Sequence, residues 1–232
     1  MKLTDIKKSI NKDFYNILNK LGIDELRPCQ EKSINAGLFD FKNQLVCTPT
    51  ASGKTLIAEF AAIQHITNSR GKAVYIVPLK ALASEKYKSF KERYGHLVKV
   101  GISVGDIDSN DSYLGNSDFI ICTAEKFDSL LRHHTPWLKY ISCLIVDEVH
   151  LLNDPGRGPT VEIILTLIMH LIKNIQIIAL SATIGNPKQL ADWMKAELIE
   201  DNWRPTQLKH GTYFNGEIEF MKKSDSDKID EN

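Results

Sequence analysis

Thr48-Pro49-Thr50-Ala51-Ser52-Gly53-Lys54-Thr55 follows the apolar run Leu45-Val46-Cys47 and precedes Leu56-Ile57-Ala58-Glu59-Phe60-Ala61-Ala62, a stretch of helical composition. Strand, loop and helix in that order are the setting in which a Gly-Lys-Thr ending binds phosphate. Gly53 lets the backbone come close to a phosphate, and the amides after it point their hydrogens there from a helix N-terminus. In this reading Lys54 reaches the terminal phosphates of a nucleotide and the Thr55 hydroxyl holds Mg²⁺. Thr48 stands where the strict pattern has glycine, and an ordinary strand-to-helix turn has a similar composition.

A second motif narrows the choice. Asp147-Glu148-Val149-His150 comes directly after Cys143-Leu144-Ile145-Val146. An apolar run ending in paired carboxylates reads as a buried parallel strand emerging at the carboxyl edge of a sheet, where doubly wound folds bind ligands. Asp147 is then a Mg²⁺-shell carboxylate and Glu148 the general base for an attacking water. Either acid is equally a cap for the next segment, and it is the conjunction with Lys54 and Thr55 that favours the catalytic reading.

Apolar strand candidates alternate with helical segments along most of the chain. Strands are expected at 44–48, 73–77, 98–103, 119–123, 144–147 and 175–180, and helices at 54–67, 79–94, 124–133, 159–172 and 187–194. That alternation predicts an α/β fold with a doubly wound, mostly parallel sheet covered by helices on both faces. Ile6, Ile10, Phe14, Ile17, Leu18 and Leu21 recur at helical spacing, which predicts one amphipathic helix ending near Gly22. Pro28 suits the first turn of a second helix running to about Ala36. Past Trp193, segments 207–214 and 217–221 flank Asn215-Gly216, a strong hairpin signal. The polar residues 222–232 are expected to be disordered.

Taken together, Gly53-Lys54-Thr55, Asp147 to His150 and Ser181-Ala182-Thr183 resemble motifs I, II and III of superfamily 2 helicases. The detail resembles the Ski-type branch, and within it the archaeal helicases that act at stalled replication forks. Leu26-Arg27-Pro28-Cys29-Gln30-Glu31 is similar to that branch's adenine-reading segment, and Pro78-Leu79-Lys80 with the residues to Lys86 to its motif Ia. Gly101 to Asp106 and Thr123-Ala124-Glu125-Lys126 resemble two further strand-contacting motifs. The resemblance runs from about Leu21 to Met221 and implies a RecA-like first motor domain over 1–202. Strands at 203–221 then lead toward a second motor domain, whose motifs this sequence lacks. It implies ATP and Mg²⁺ as cofactors, and single-stranded or forked nucleic acid, DNA ahead of RNA, as partner. It also implies weak activity for this chain alone, because the second domain's arginines are absent.

Within that frame, Arg27 fixes the entry to a helix whose Gln30 presents donor and acceptor to an adenine edge; the plain alternative is a surface glutamine. His150 links the nucleotide site to Ser181 and Thr183 by hydrogen bonds, or is simply a satisfied polar residue; the two hydroxyls otherwise cap the helix before Pro187. Pro78, Leu79, Lys80, Gly105, Thr123, Glu125 and Arg157 are the expected strand contacts, with Arg157 equally explained as part of an exposed loop. The run Lys80, Lys86, Lys88, Lys91, Arg93 and Lys99 carries only Glu85 and Glu92 against it. It is either a phosphate-contacting surface or a solvated helix face.

With 29 basic and 29 acidic residues among 232, bulk charge argues neither for nor against nucleic acid. Cys29, Cys47, Cys122 and Cys143 lack close metal-ligand spacing and mostly sit in apolar runs, which predicts free core thiols in a reducing compartment. The first residues lack the apolar core of a signal peptide and no run reaches a membrane span, so a cytoplasmic location is expected. An ATP-gated clamp that does not unwind is a reading from another class. A small-molecule P-loop kinase leaves the second and third motifs unexplained.

Overall fold

Strands buried on both faces are mostly apolar, and apart from Gln44, Lys72, Thr123, Ser142, Gln176 and Ser181 that is how β1 (Gln44–Cys47), β2 (Lys72–Val77), β4 (Phe119–Thr123), β5 (Ile141–Val146) and β6 (Gln176–Ser181) read. With β3 (Val100–Ser103) and β7 (Glu197–Glu200) they form a seven-stranded parallel sheet in the order β3-β4-β2-β5-β6-β1-β7. The computed structural model describes residues 1–105, 111–182, 184–206 and 211–220.

The pleat divides each strand between two cores. Val46, Tyr75, Val77, Ile121, Ile145 and Leu180 face a cluster built with α1 (Lys12–Lys20), α2 (Pro28–Asn35), α3 (Lys54–Thr67) and α4 (Lys80–Tyr94). Leu45, Val74, Ile76, Cys122, Leu144 and Ala179 face the other, built with α5 (Ala124–Arg132), α6 (Gly158–Leu171) and α7 (Pro187–Met194). Each fully buried aliphatic of this kind contributes about 1.5–3 kcal/mol, so two complete cores hold the strand ends in fixed register. The doubly wound α/β expectation holds.

Two local features depart from expectation. The first segment is not one helix: a 3-10 turn at Leu3–Ile6 ends before Asn11, whose side chain caps α1 by accepting from the amides of Asp13 and Phe14. Ile6, Ile10, Phe14, Ile17 and Leu18 are buried as the periodicity required, whereas Leu21 is exposed. The edge strand β7 was not expected, since Ile199 is its only buried residue. The hairpin is present as β8 (Gly211–Phe214) and β9 (Glu217–Phe220), with Asn215 and Gly216 at φ 48° and 89°. Positive φ at both turn positions is what Asn-Gly supplies; the strand ends expected at 207–210 and 221, like the tail 222–232, lie outside the described residues.

The four cysteines are free and buried. Among the described residues, no helix is long and apolar enough to cross a membrane.

Candidate functional site

Parallel strands deliver their carboxyl ends to one edge, and every motif of interest sits there. β1 ends at Cys47, and the amide of Thr48 continues its ladder by donating to the Ser181 carbonyl at 3.2 Å. The chain then turns through Pro49 and Thr50 to Ala51 at φ 65° and Gly53 at φ 100°, and α3 begins at Lys54. The Thr48 and Ser52 hydroxyls lie 2.7 Å apart and bond across the base of this loop. Thr48 thus supplies a hydroxyl that the glycine of the strict pattern cannot. Lys54 folds back over the loop, its Nζ donating to the Thr48 carbonyl at 2.7 Å and the Pro49 carbonyl at 3.4 Å. Burial lowers its pKa, while Glu148 and Asp147 oppose that shift. Lys54, Asp147 and Glu148 therefore share one electrostatic site.

The start of α2 grips the same loop. The Arg27 guanidinium donates to the Ala51 carbonyl, and Gln30 Nε2 donates to the Gly53 carbonyl at 3.0 Å. Gln30 Oε1 accepts from the Arg27 amide at 2.8 Å, closing the first turn. Gln30 is 3% exposed, so it is not the free surface glutamine of the plain reading. A Cβ on Gly53 would lie 2.5 Å from Gln30 Nε2 and 2.9 Å from Arg27 Cδ. Glycine is therefore required twice here, for its left-handed φ and for this approach. Arg27, Gln30, Gly53, Thr55, Glu59 and Arg93 line an open pocket beside the loop.

Beyond β5, Asp147 extends the ladder by donating its amide to the Ile76 carbonyl at 2.9 Å. Its Oδ2 accepts from the Tyr75 hydroxyl at 2.9 Å and its Oδ1 from the Glu148 amide at 3.1 Å. Glu148 is held at φ 54°, a left-handed conformation that costs a non-glycine residue about 1–2 kcal/mol. Such outliers persist where the surroundings over-determine them, and here the chain makes its turn into the 3-10 helix Val149–Asn153. His150 Nδ1 lies 3.3 Å from Glu148 Oε2 without the alignment of a hydrogen bond. Ser181 is buried, and its Oγ has no hydrogen-bond partner among the described residues. Thr183 lies outside those residues, and no hydrogen bond joins His150 Nδ1 or Ser181 Oγ to a partner among the described residues, so the expected relay is not formed between these two.

The expected strand contacts also fall on the carboxyl edge, along β3, β4 and β2. Pro78, Leu79 and Lys80 follow β2, with Leu79 and Lys80 exposed. Gly105 lies just past β3, and Thr123 ends β4 while its hydroxyl caps α5 by accepting from the Lys126 amide. Glu125 is exposed on the first turn of α5, and Arg157 precedes α6. Pro78, Glu125 and Arg157 line one small pocket together with Asp147 and Glu148.

The basic stretch divides. Lys80, Lys88, Lys91 and Lys99 are exposed, but Lys86 and Arg93, spaced two helical turns apart, point inward. Lys86 Nζ donates to Thr55 Oγ1 at 3.1 Å and lies 3.9 Å from Asp147 Oδ2. Arg93 makes a bidentate pair with the buried Glu59, at 2.7 and 3.0 Å, and Tyr94 donates to the same carboxylate. Neither lysine nor arginine was separable from its neighbours by sequence, since only the placement of α4 against Tyr75 and Glu59 distinguishes them. Glu59, an acid within an apolar helix, was the one available signal that a cation would be needed nearby.

Residues 27–190 match the DEAD/DEAH box helicase model. The chain is 52% identical over 218 residues to an ATP-dependent DNA helicase Hel308 of Methanocella arvoryzae, covering 91% of this chain and 29% of that protein. It is 48% identical over 220 residues to the protein of the same name from Methanococcus vannielii, covering 92% and 29%. The structure of the DUF1998 helicase MrfA bound to DNA superimposes with a TM-score of 0.72 at 26% identity, covering 84% of this chain and 30% of that one. The chain thus spans less than a third of the length of these relatives. With the family model covering most of its sheet and both the Gly53-Lys54-Thr55 and Asp147 to His150 motifs, the chain belongs to the DEAD/DEAH box helicase family.

Proposed function

We propose that this chain is the ATP-binding first motor domain of an ATP-dependent DNA helicase that acts on forked or single-stranded DNA in replication-fork repair. The observation that carries this reading is the meeting of Thr55 and Asp147 across one cation, the Lys86 ammonium. Motifs from β1 and β5, far apart in sequence, thereby present two hard oxygen donors to a single positive charge. That donor set fits Mg²⁺, which takes one or two protein oxygens and completes its shell with phosphates and water. When bound with ATP, the metal supplies charge neutralisation at the phosphates.

The chain's own groups divide the remaining work. Loop amides from Gly53 onward and the Lys54 ammonium hold the terminal phosphates, so Lys54 exchanges its carbonyl partners for phosphate oxygens. Glu148 orients and deprotonates the attacking water. Arg27 and Gln30 border the pocket for the base, and His150, Ser181 and Thr183 transmit the state of the site. Pro78, Leu79, Lys80, Gly105, Thr123, Glu125 and Arg157 hold the strand through its backbone, which makes binding largely independent of sequence.

Residues 1–202 constitute the motor domain, and 203–221 lead toward a second one that completes the γ-phosphate site. The greater length of the relatives and their DNA-directed names support both the second domain and the choice of DNA. ATP turnover and strand displacement by the full-length protein on forked DNA and matched RNA test this. DNA-stimulated turnover with unwinding is expected. Stimulation by RNA alone would move the substrate to RNA, and stimulation without displacement would leave a clamp.

A further inference from the structure

Lys86, expected within the basic run to contact phosphate or to face solvent, instead turns inward. Its Nζ lies over the rings of Tyr75 and Phe90, 5.4 and 5.9 Å from their centroids, and its side chain is 20% exposed. At its tip are the Thr55 hydroxyl and the Asp147 carboxylate, itself anchored by the Tyr75 hydroxyl. Those two oxygens are the ones assigned above to the divalent cation, so the inference rests on that assignment. A divalent ion bound at about 2.0–2.1 Å from its oxygens leaves no room for an ammonium on the same pair, and two cations that close repel.

We propose that Lys86 is a tethered counter-cation of the metal site. It neutralises Asp147 when no divalent ion is bound, and it must leave when Mg²⁺ enters. Lys86 is thus a positioning residue that sets the metal concentration at which the site fills. Its helix continues directly from the Pro78-Leu79-Lys80 segment, so a side chain of α4 reports on the nucleotide site from the strand-contacting side. An ammonium that is partly solvated competes modestly. Its removal should lower the half-saturating metal concentration about 5- to 10-fold.

The test is an Mn²⁺ titration of the chain in the presence of ADP, followed by electron paramagnetic resonance of free Mn²⁺. Fluorescent ADP affinity at saturating metal is measured beside it. Lys86→Met and Lys86→Gln should both fill at about 5- to 10-fold lower Mn²⁺ with nucleotide affinity at saturating metal unchanged, and Lys86→Arg should track the wild type. The glutamine variant keeps a polar partner for the Thr55 hydroxyl and serves if the methionine variant does not fold. Equal or higher metal requirement in the neutral variants would overturn the proposal. So would weaker nucleotide binding at saturating metal, which would make Lys86 a phosphate ligand. A wild type showing no metal-dependent nucleotide binding would remove the metal site itself, an outcome distinct from a site that fills normally but ignores Lys86.

Discussion

Replacing Arg93 by methionine strips the guanidinium, whose carbon lies 5.4 and 5.1 Å from the Phe90 and Tyr94 ring centroids, from a carboxylate that is 2% exposed. Among the described residues, Glu59 then retains the Tyr94 hydroxyl as the one hydrogen-bond donor to its two oxygens. Breaking a buried pair by removing one partner costs about 3–5 kcal/mol. Arg93 is itself 26% exposed, so water can partly replace it and the expected loss is about 2–4 kcal/mol at pH 7. The pH dependence follows from Glu59, whose pKa burial raises while Arg93 and Tyr94 oppose the rise. A carboxyl whose folded pKa exceeds its unfolded value, about 4.3, prefers to fold protonated. Its stabilising contribution is complete below the unfolded pKa and is lost as pH rises through the folded one. Without Arg93 the folded pKa climbs further, so the Arg93→Met defect should shrink as pH falls from 7 toward 5. Urea unfolding at both pH values measures it, and adding Glu59→Gln should recover at least half of the loss. A variant within about 0.5 kcal/mol of wild type, or a double mutant equal to the sum of the single ones, would refute the reasoning.

Gly53→Ala must adopt φ near 100° and push aside Gln30 and Arg27, breaking their bonds to the loop. About 2 kcal/mol of unfolding free energy and most nucleotide affinity should be lost, as read by urea denaturation and fluorescent nucleotide binding. Gln30→Ala removes a clamp between α2 and Gly53 and should cost about 1–2 kcal/mol while narrowing the preference for ATP over GTP. Lower stability with unchanged selectivity in a competition assay would leave Gln30 as a loop clamp only.

The sheet was legible because strands buried on both faces cannot hide their composition: Val74 to Val77, Phe119 to Cys122 and Ile177 to Leu180 are almost completely buried. β7 was not, since an edge strand with one buried side chain has no pattern to show. The N-terminal periodicity identified the right buried residues but not the break, because helical spacing is preserved when a 3-10 turn and a capped helix pack on the same core. At the site, the order of the elements was enough to place loop 48–55 and the paired acids together at the carboxyl edge of the sheet. Lys86 and Arg93 were not, because which cation on a basic helix turns inward depends on how α4 lies against Tyr75 of β2 and Glu59 of α3. Gln30 was found for its chemistry, yet its observed bonds go to Arg27 and Gly53, a contact between segments that sequence spacing does not reveal.

The central claim, that Glu148 activates water in a nucleotide site built by Lys54, Thr55 and Asp147, is tested most directly by Glu148→Gln in the full-length protein. Single-turnover ATP hydrolysis is measured beside ATP affinity. The account predicts affinity within about threefold of wild type and a hydrolysis rate about 10²–10⁴ lower, the contribution of a general base. Hydrolysis within a few-fold of wild type, or loss of ATP affinity in step with the rate, would contradict it and return Glu148 to a structural role in the turn after β5.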